Sequence, residues 1–454
     1  MRHIHLMSFV AIAALCVAGG QARAQEKYIQ EAIPAGFKTL TSQVEGPIYA
    51  DANGRTLYQW PRKELRNGGT GDMKGAASIC DNVKTTENLG LMSPYPAGLA
   101  LPDAATRKSC EEMWPPALAA AGSQPVGKWS IIKRKDGRDQ WAYDGFVLYT
   151  SVMDSKPGQV IGGTKLGRRS SDPPGVAGGD APAYRIPIGP SPDIPGQFMV
   201  EQTLVGRQLA MLDGMAVYTW DRDGANKSNC TNDCLKTWQP VLAPQVGATG
   251  RDDWSVIERS PGVKQWAFRK KPLYTYVHER GPGYQHGVDV PGWNIVFTQM
   301  RPAPPPEFTT QDSPGGVVLA DSKGKTLYIY NCGDDAADQL LCDYPDSPQE
   351  YRYAVCGGGS SERCLKTFPY VIAANGAKGA NEAWSVVSID PATGHSAKPG
   401  QADALQVWAY RSRPVFTFVR DDRPGSIRAQ NWGEFYGQRN GYKAFFLREE
   451  FQGR

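Results

Sequence analysis

Large apolar residues alternate with small or polar ones through many short stretches of this chain, as in Thr56-Leu57-Tyr58-Gln59-Trp60 and Trp408-Ala409-Tyr410. A period of two is the signature of a half-buried strand. These stretches run into turn sequences such as Asp51-Ala52-Asn53-Gly54 and Asp144-Gly145, where glycine supplies the positive φ that tight hairpins need. A short polar-aromatic piece from Cys110 to Trp114 predicts a single helical turn. With 50 Gly and 35 Pro, turns are favoured over long helices. The pattern predicts a mainly β protein made of small antiparallel sheets with short helical turns.

The pattern recurs three times. Each copy opens with an apolar strand, a Gly turn and a strand ending in aromatics: Ile48 to Trp60, Leu209 to Trp220, and Val318 to Tyr330. A Cys four residues before an aromatic follows (Cys110 and Trp114, Cys234 and Trp238, Cys364 and Phe368). Then come Trp-Ser (Trp129, Trp254, Trp384), a Gln-x-Trp segment (Gln140-Trp141, Gln265-Trp266, and the variant Gln406-Val407-Trp408), an apolar-aromatic pair (Leu148-Tyr149, Leu273-Tyr274, Val415-Phe416) and Pro-Gly (Pro157, Pro282, Pro424). Trp129, Trp141, Tyr149 and Pro157 all recur at one offset, as Trp254, Trp266, Tyr274 and Pro282, which marks a true internal repeat. The predicted organisation is repeat one at 36–165, a Gly/Pro-rich linker at 166–196, repeat two at 197–300, a Pro-rich linker at 301–316 and repeat three at 317–450. Repeat one carries an insertion near 64–106. Repeat three carries one at 390–404, read as a long hairpin loop. Each copy is expected to hold four to six strands. Its aromatics are expected mainly in the core, with ligand stacking the alternative. The copies could pack together or be strung out on their linkers.

The chain begins with a short basic stretch, an apolar run from Leu6 to Gly19 and the small-x-small site Ala22-Arg23-Ala24. This is the layout of a secretory signal peptide over 1–24. The run is shorter than the roughly 20 residues that span a bilayer, and no transmembrane segment is expected. Cys16 follows Leu15, where a lipid-anchor signal needs a small residue. Cleavage would remove two arginines and no acid, leaving a net charge of +2, which gives no reason to expect nucleic acid as a partner. Eight cysteines would remain: Cys80, Cys110, Cys230, Cys234, Cys332, Cys342, Cys356 and Cys364. An even number suits an oxidising compartment, so the protein is expected in the periplasm or at the cell surface. Pairing within copies gives Cys80–Cys110 and Cys230–Cys234. Alignment of the third copy gives Cys356–Cys364 and leaves Cys332–Cys342. Chain-entropy arguments assign about 3.5 kcal/mol to the long first loop and about 2 kcal/mol to the short second one.

In this order the landmarks resemble the bacterial family of secreted repeats of unknown function, described as lipoproteins with a Yx(FWY)xxD motif. Tyr218, Trp220 and Asp223 carry the motif in copy two and are its candidate binding residues. Copy one has Tyr58 and Trp60, with Lys63 where the Asp would stand. Copy three has Tyr328 and Tyr330, then Gly333 with Asp334 one later. The resemblance implies a location and an architecture but no substrate.

Asp221 and Asp223, in a loop rich in oxygen ligands, are candidates for a metal ion. So are His278 and His286, eight residues apart in another loop. No cofactor motif is present: there is no haem-attachment sequence, no H-E-x-x-H and no G-x-S-x-G. Arg134-Lys135 and Lys270-Lys271 are expected on solvated turns. The leading expectation is a non-enzymatic module binding a protein, polymer or small ligand. An accessory of periplasmic electron transfer or metal handling is the alternative, and an enzyme with a pocket near His278 or His286 the third.

Overall fold

The computed structural model describes residues 25–65, 68–87, 98–101, 104–162, 185–282, 284–331, 349–433 and 441–447. Within them the chain is β-rich, in small antiparallel sheets. Each copy starts with a hairpin: Phe37–Ser42 with Gly46–Asp51, Phe198–Gln202 with Gly206–Met211, and Thr309–Ser313 with Gly316–Ala320. A tyrosine-bearing strand follows, then the helical turn, then a hairpin built on tryptophan. The tryptophan hairpins share one register: Trp129 opposite Tyr143, Trp254 opposite Phe268, and Trp384 opposite Tyr410.

A closing strand completes each copy by returning to the tyrosine strand. Tyr58 pairs with Pro187, Trp220 with Trp293, and Tyr330 with Tyr442. The two predicted linkers therefore contain ladder structure. Ile186–Pro187 closes copy one from within 166–196, and Thr309–Ser313 opens copy three from within 301–316. Proline content misled here. Pro187 sits in a two-residue strand at a sheet edge, where proline is tolerated because its missing N–H is not needed. Each copy is also divided into several short sheets of two to five strands instead of one.

Local chemistry explains the turns. Ser109 caps the first helical turn, its hydroxyl accepting the Glu112 N–H while Glu112 reaches back to the Ser109 N–H, a reciprocal capping box. The second strand of each tryptophan hairpin then turns into the next strand through two left-handed residues, which type I′ turns require. Copy one uses the expected Asp144-Gly145, but copies two and three use Arg269-Lys270 and Arg411-Ser412. Side-chain bonds offset the backbone cost: Arg269 donates to Asp253 and to the carbonyls of Phe297 and Thr298, and Arg411 pairs with Glu45. In the turn between the first hairpin and the tyrosine strand of copy one, Gly54 is left-handed, and a Cβ there would stand 2.7 Å from Pro157. The Gly turn and the distant Pro-Gly landmark are thus two sides of one contact.

The expected bonds Cys80–Cys110, Cys230–Cys234 and Cys356–Cys364 are formed. Cys332 and Cys342 lie outside the described residues. The insertion at 390–404 is a hairpin loop, since Ile389 pairs with Leu405 at its base.

The copies pack together. Val44 and Leu204, at the tips of the first hairpins of copies one and two, are buried in the same apolar cluster as Leu319, Leu327, Trp384 and Phe445 of copy three. The corresponding tip in copy three, Ser313-Pro314-Gly315-Gly316, has no large side chain to insert. Polar bonds cross the same junction. Glu382 of copy three accepts the Gln43 N–H at 2.8 Å, Arg301, just after copy two, donates to the Val44 carbonyl at 3.0 Å and to Tyr410 at 3.2 Å, and Leu204 donates its N–H to the Leu447 carbonyl. Burial pushes the Glu45 carboxyl up, but Arg411 and Arg301 outweigh this and hold it below the usual range.

Candidate functional site

The motif residues sit where the tyrosine strand, the disulfide loop and the apolar-aromatic strand meet. In copy two the structure places Tyr218 and Asp223 in the interior and Trp220 at its half-buried edge. Asp223 accepts the Tyr274 hydroxyl at 2.7 Å and the Asn229 N–H at 2.7 Å. Tyr274 also bonds Ser228. Burial, opposed by the Ser228 hydrogen bond and reinforced by Asp223, pushes the Tyr274 phenol up to about 12. The carboxylate thus ties the loop that carries Cys230 to the neighbouring strand.

Copy one keeps this arrangement without the motif spacing. Asp72 accepts the Tyr149 hydroxyl at 2.6 Å and the Ile79 N–H at 3.0 Å, and Ser78 bonds Tyr149. The aspartate missing at Lys63 has been supplied from the insertion. In copy three, Gly333 and Asp334 lie outside the described residues, and Phe416 brings no hydroxyl to the corresponding place.

A second carboxylate unit is present in all three copies and was not anticipated. Tyr58 donates to Asp154 at 2.5 Å, Tyr218 to Glu279, and Tyr328 to Asp421 at 2.7 Å. Each acid also accepts a backbone N–H seven residues on, from Ile161, His286 and Arg428. The signal was available: every copy carries an acid three residues before its Pro-Gly. Burial pushes Asp154 up to about 7 and raises Asp421.

The aromatic of the motif forms one side of a sandwich. Its middle place is filled from the closing strand and its far side by the aromatic after the Cys. Copy two stacks Trp220, Trp293 and Trp238, with Trp293 and Trp238 face to face at 3.6 Å. Copy three places Tyr442 on Phe368 at 3.6 Å, beside Tyr330. Copy one puts the Arg185 guanidinium over Trp60 at 3.8 Å and Trp114 at 4.5 Å, a cation–π use of a planar group.

Two further expectations change. Arg134 is buried, donating to Gln140, to the Cys80 carbonyl and to Glu111. Arg259 makes the matching bonds to Gln265 and the Cys230 carbonyl in copy two. In copy three the register puts Val407, not Gln406, opposite Val387 in the place of the glutamine, and the arginine is replaced by buried Ile389. The extra residue in Gln-Val-Trp therefore turns Gln406 outward, where it bonds Ser388.

The metal candidates are dispersed among internal contacts. Asp221 accepts from Asn294, His278 packs edge-on against Tyr276, and the His286 ring lies 3.3 Å from Glu279 and stacks on Tyr284. Among the described residues, no three His, Cys, Asp or Glu side chains gather as metal ligands.

Fold and site together define a β-rich, disulfide-braced repeat protein. Residues 130–165 and 200–242 match the family model described as a secreted repeat of unknown function. The first segment covers the later part of copy one and the second the motif half of copy two, so the chain is similar to that family in both. No curated protein and no solved structure matches the chain. Among the described residues, no helix is long and apolar enough to cross a membrane.

Proposed function

We propose that this chain is a non-enzymatic interaction protein of the periplasm or cell surface, whose three packed copies present the same apolar contacts to a protein partner. One observation carries the reading. Leu118, Leu242 and Ile372 occupy one position in the three copies, each two residues beyond the proline or tyrosine that follows the helical turn, and each is exposed. Val152, Val277 and Val419, three residues after the landmark tyrosine or phenylalanine, are exposed as well.

Single exposed aliphatics need no explanation. The interior has diverged, exchanging arginine for isoleucine and glutamine for valine. These outward positions stay aliphatic in every copy, although each leaves more than a third of its surface to solvent. Aliphatic contacts suit a protein surface. A sugar polymer would call for exposed aromatic faces, and most of the described aromatics are buried in the cores and sandwiches. Three equal contacts on one packed body would give avidity without individually strong sites.

The test is a photo-crosslinking residue placed in turn at 118, 242 and 372 in cells, with exposed Lys366 as control. The expected result is an adduct of one mass at all three positions and none at the control. Adducts shared with the control, or none at the three positions, would refute the reading.

A further inference from the structure

Copy two differs from its neighbours in the chemistry of its sandwich. Trp220 lies nearly parallel to Trp293 with centroids 5.3 Å apart, Trp293 lies on Trp238 at 3.6 Å, and Trp238 meets Tyr276 at 4.6 Å. Tyr218 meets Trp238 edge-on at 5.2 Å. Every ring in this row can lose an electron to a strong one-electron oxidant. Copy one interrupts the row with the Arg185 guanidinium and has Ser151 in the place of Tyr276. Copy three interrupts it with Phe368 and Phe418. Phenylalanine packs as well as tryptophan or tyrosine but is far harder to oxidise. Packing alone therefore does not require copy two to be all indole and phenol.

The proton side is also peculiar to copy two. A phenol is oxidised readily only when its proton has somewhere to go, because the phenol radical cation is a strong acid. Tyr218 donates its hydroxyl to Glu279, whose side chain is fully buried. The other oxygen of Glu279 accepts the His286 N–H at 3.2 Å and lies 3.3 Å from the His286 ring, which is one-third exposed. In copies one and three the same carboxylate position is followed, seven residues on, by Ile161 and Arg428. Only copy two links the buried acid to an imidazole at the surface.

We propose that copy two is a one-electron relay ending at Tyr218. A strongly oxidising, high-valent metal centre takes one electron from Trp220 at the half-buried edge and is itself reduced by one electron. The vacancy passes to Trp293 and then to Trp238, rings close enough for rapid tunnelling. Tyr218 then gives one electron to Trp238 and its phenolic proton to Glu279, leaving a neutral tyrosyl radical and a protonated carboxyl group. This function goes beyond the interaction role and does not depend on it.

The experiment uses the mature chain and photogenerated ruthenium(III) tris(bipyridine) as oxidant, with electron paramagnetic resonance and transient absorption as readouts. The expected result is a tyrosyl radical whose yield falls severalfold in Trp293→Phe, with the circular dichroism of the folded protein retained. In Tyr218→Phe a tryptophanyl signal should replace the tyrosyl one. Should Trp293→Phe fail to fold, Trp220→Phe at the partly exposed edge makes the same test. A tyrosyl yield unchanged in a folded Trp→Phe variant, or a tyrosyl signal that persists in Tyr218→Phe, would overturn the relay.

Discussion

Asp154 shows how a single buried side chain sets a pH dependence. It is almost wholly buried, and burial, only partly offset by Tyr58 and two backbone N–H groups, raises its carboxyl to about 7. An unfolded aspartate titrates near 3.9. Between these values the folded chain holds a proton that the unfolded chain has lost. This contribution to stability is therefore fully present below about pH 4 and is lost as pH rises through about 7, with a slope of up to about 1.4 kcal/mol per pH unit. Asp154→Asn should flatten that segment of a plot of denaturation midpoint against pH, and an unchanged slope would show that Asp154 is ionised in the folded chain. The hydroxyl that faces it is expected to matter as well. Tyr328→Phe, which leaves Asp421 buried with one donor fewer, should cost about 1–3 kcal/mol in chemical denaturation. At this scale the sequence was partly legible. Tyr218 and Asp223 stand out as a motif, but Asp72 could not be found by spacing, because an insertion carries it to its place. Arg134 reads as a solvated turn residue because sequence does not reveal that its guanidinium reaches the Cys80 carbonyl.

At the scale of elements, turns and bridges carry the predictions. Lys270 holds a left-handed backbone, and its carbonyl accepts the Asn226 N–H, a bond that any residue would keep. Lys270→Gly should therefore stabilise the chain by about 0.5–1 kcal/mol, since glycine escapes the left-handed penalty but loses more chain entropy. Thermal denaturation would measure it, and a loss of stability would mean that the lysine side chain contributes more than its backbone costs. The bridges should rank by loop length: replacing Cys80 and Cys110 by Ser should cost more than replacing Cys230 and Cys234, about 3.5 against about 2 kcal/mol, because their separations are 30 and 4 residues. Equal losses would point to strain or residual structure instead of loop entropy. The strands and the helical turn were readable because period-two alternation and a Cys–aromatic spacing are local signals. The closing strands were not, since Ile186–Pro187 is short and is stabilised by partners more than a hundred residues earlier in the chain.

A shared core joins the three copies into one body. Val44 and Leu204 enter the core of copy three, so the copies should unfold together in a single denaturant transition, by fluorescence and by circular dichroism alike. Leu204→Ala should lower stability by about 2–5 kcal/mol, and three separate transitions in the unmodified chain would show that the copies are independent. What the sequence determined by itself was periodic and local: strand-forming alternation, three copies of one set of landmarks, pairs of cysteines, and turns marked by glycine. What the tertiary structure alone decided was which residues meet across long separations. It chose Asp72 to replace a missing motif aspartate, Arg185 to stand where copies two and three place an aromatic ring, and Val407 to take the place of a glutamine. It also drew the hairpin tips of copies one and two into copy three. The reason is that alternation records which side of a strand is buried, whereas the partner on that side is set by packing and hydrogen-bond satisfaction among segments far apart in the chain.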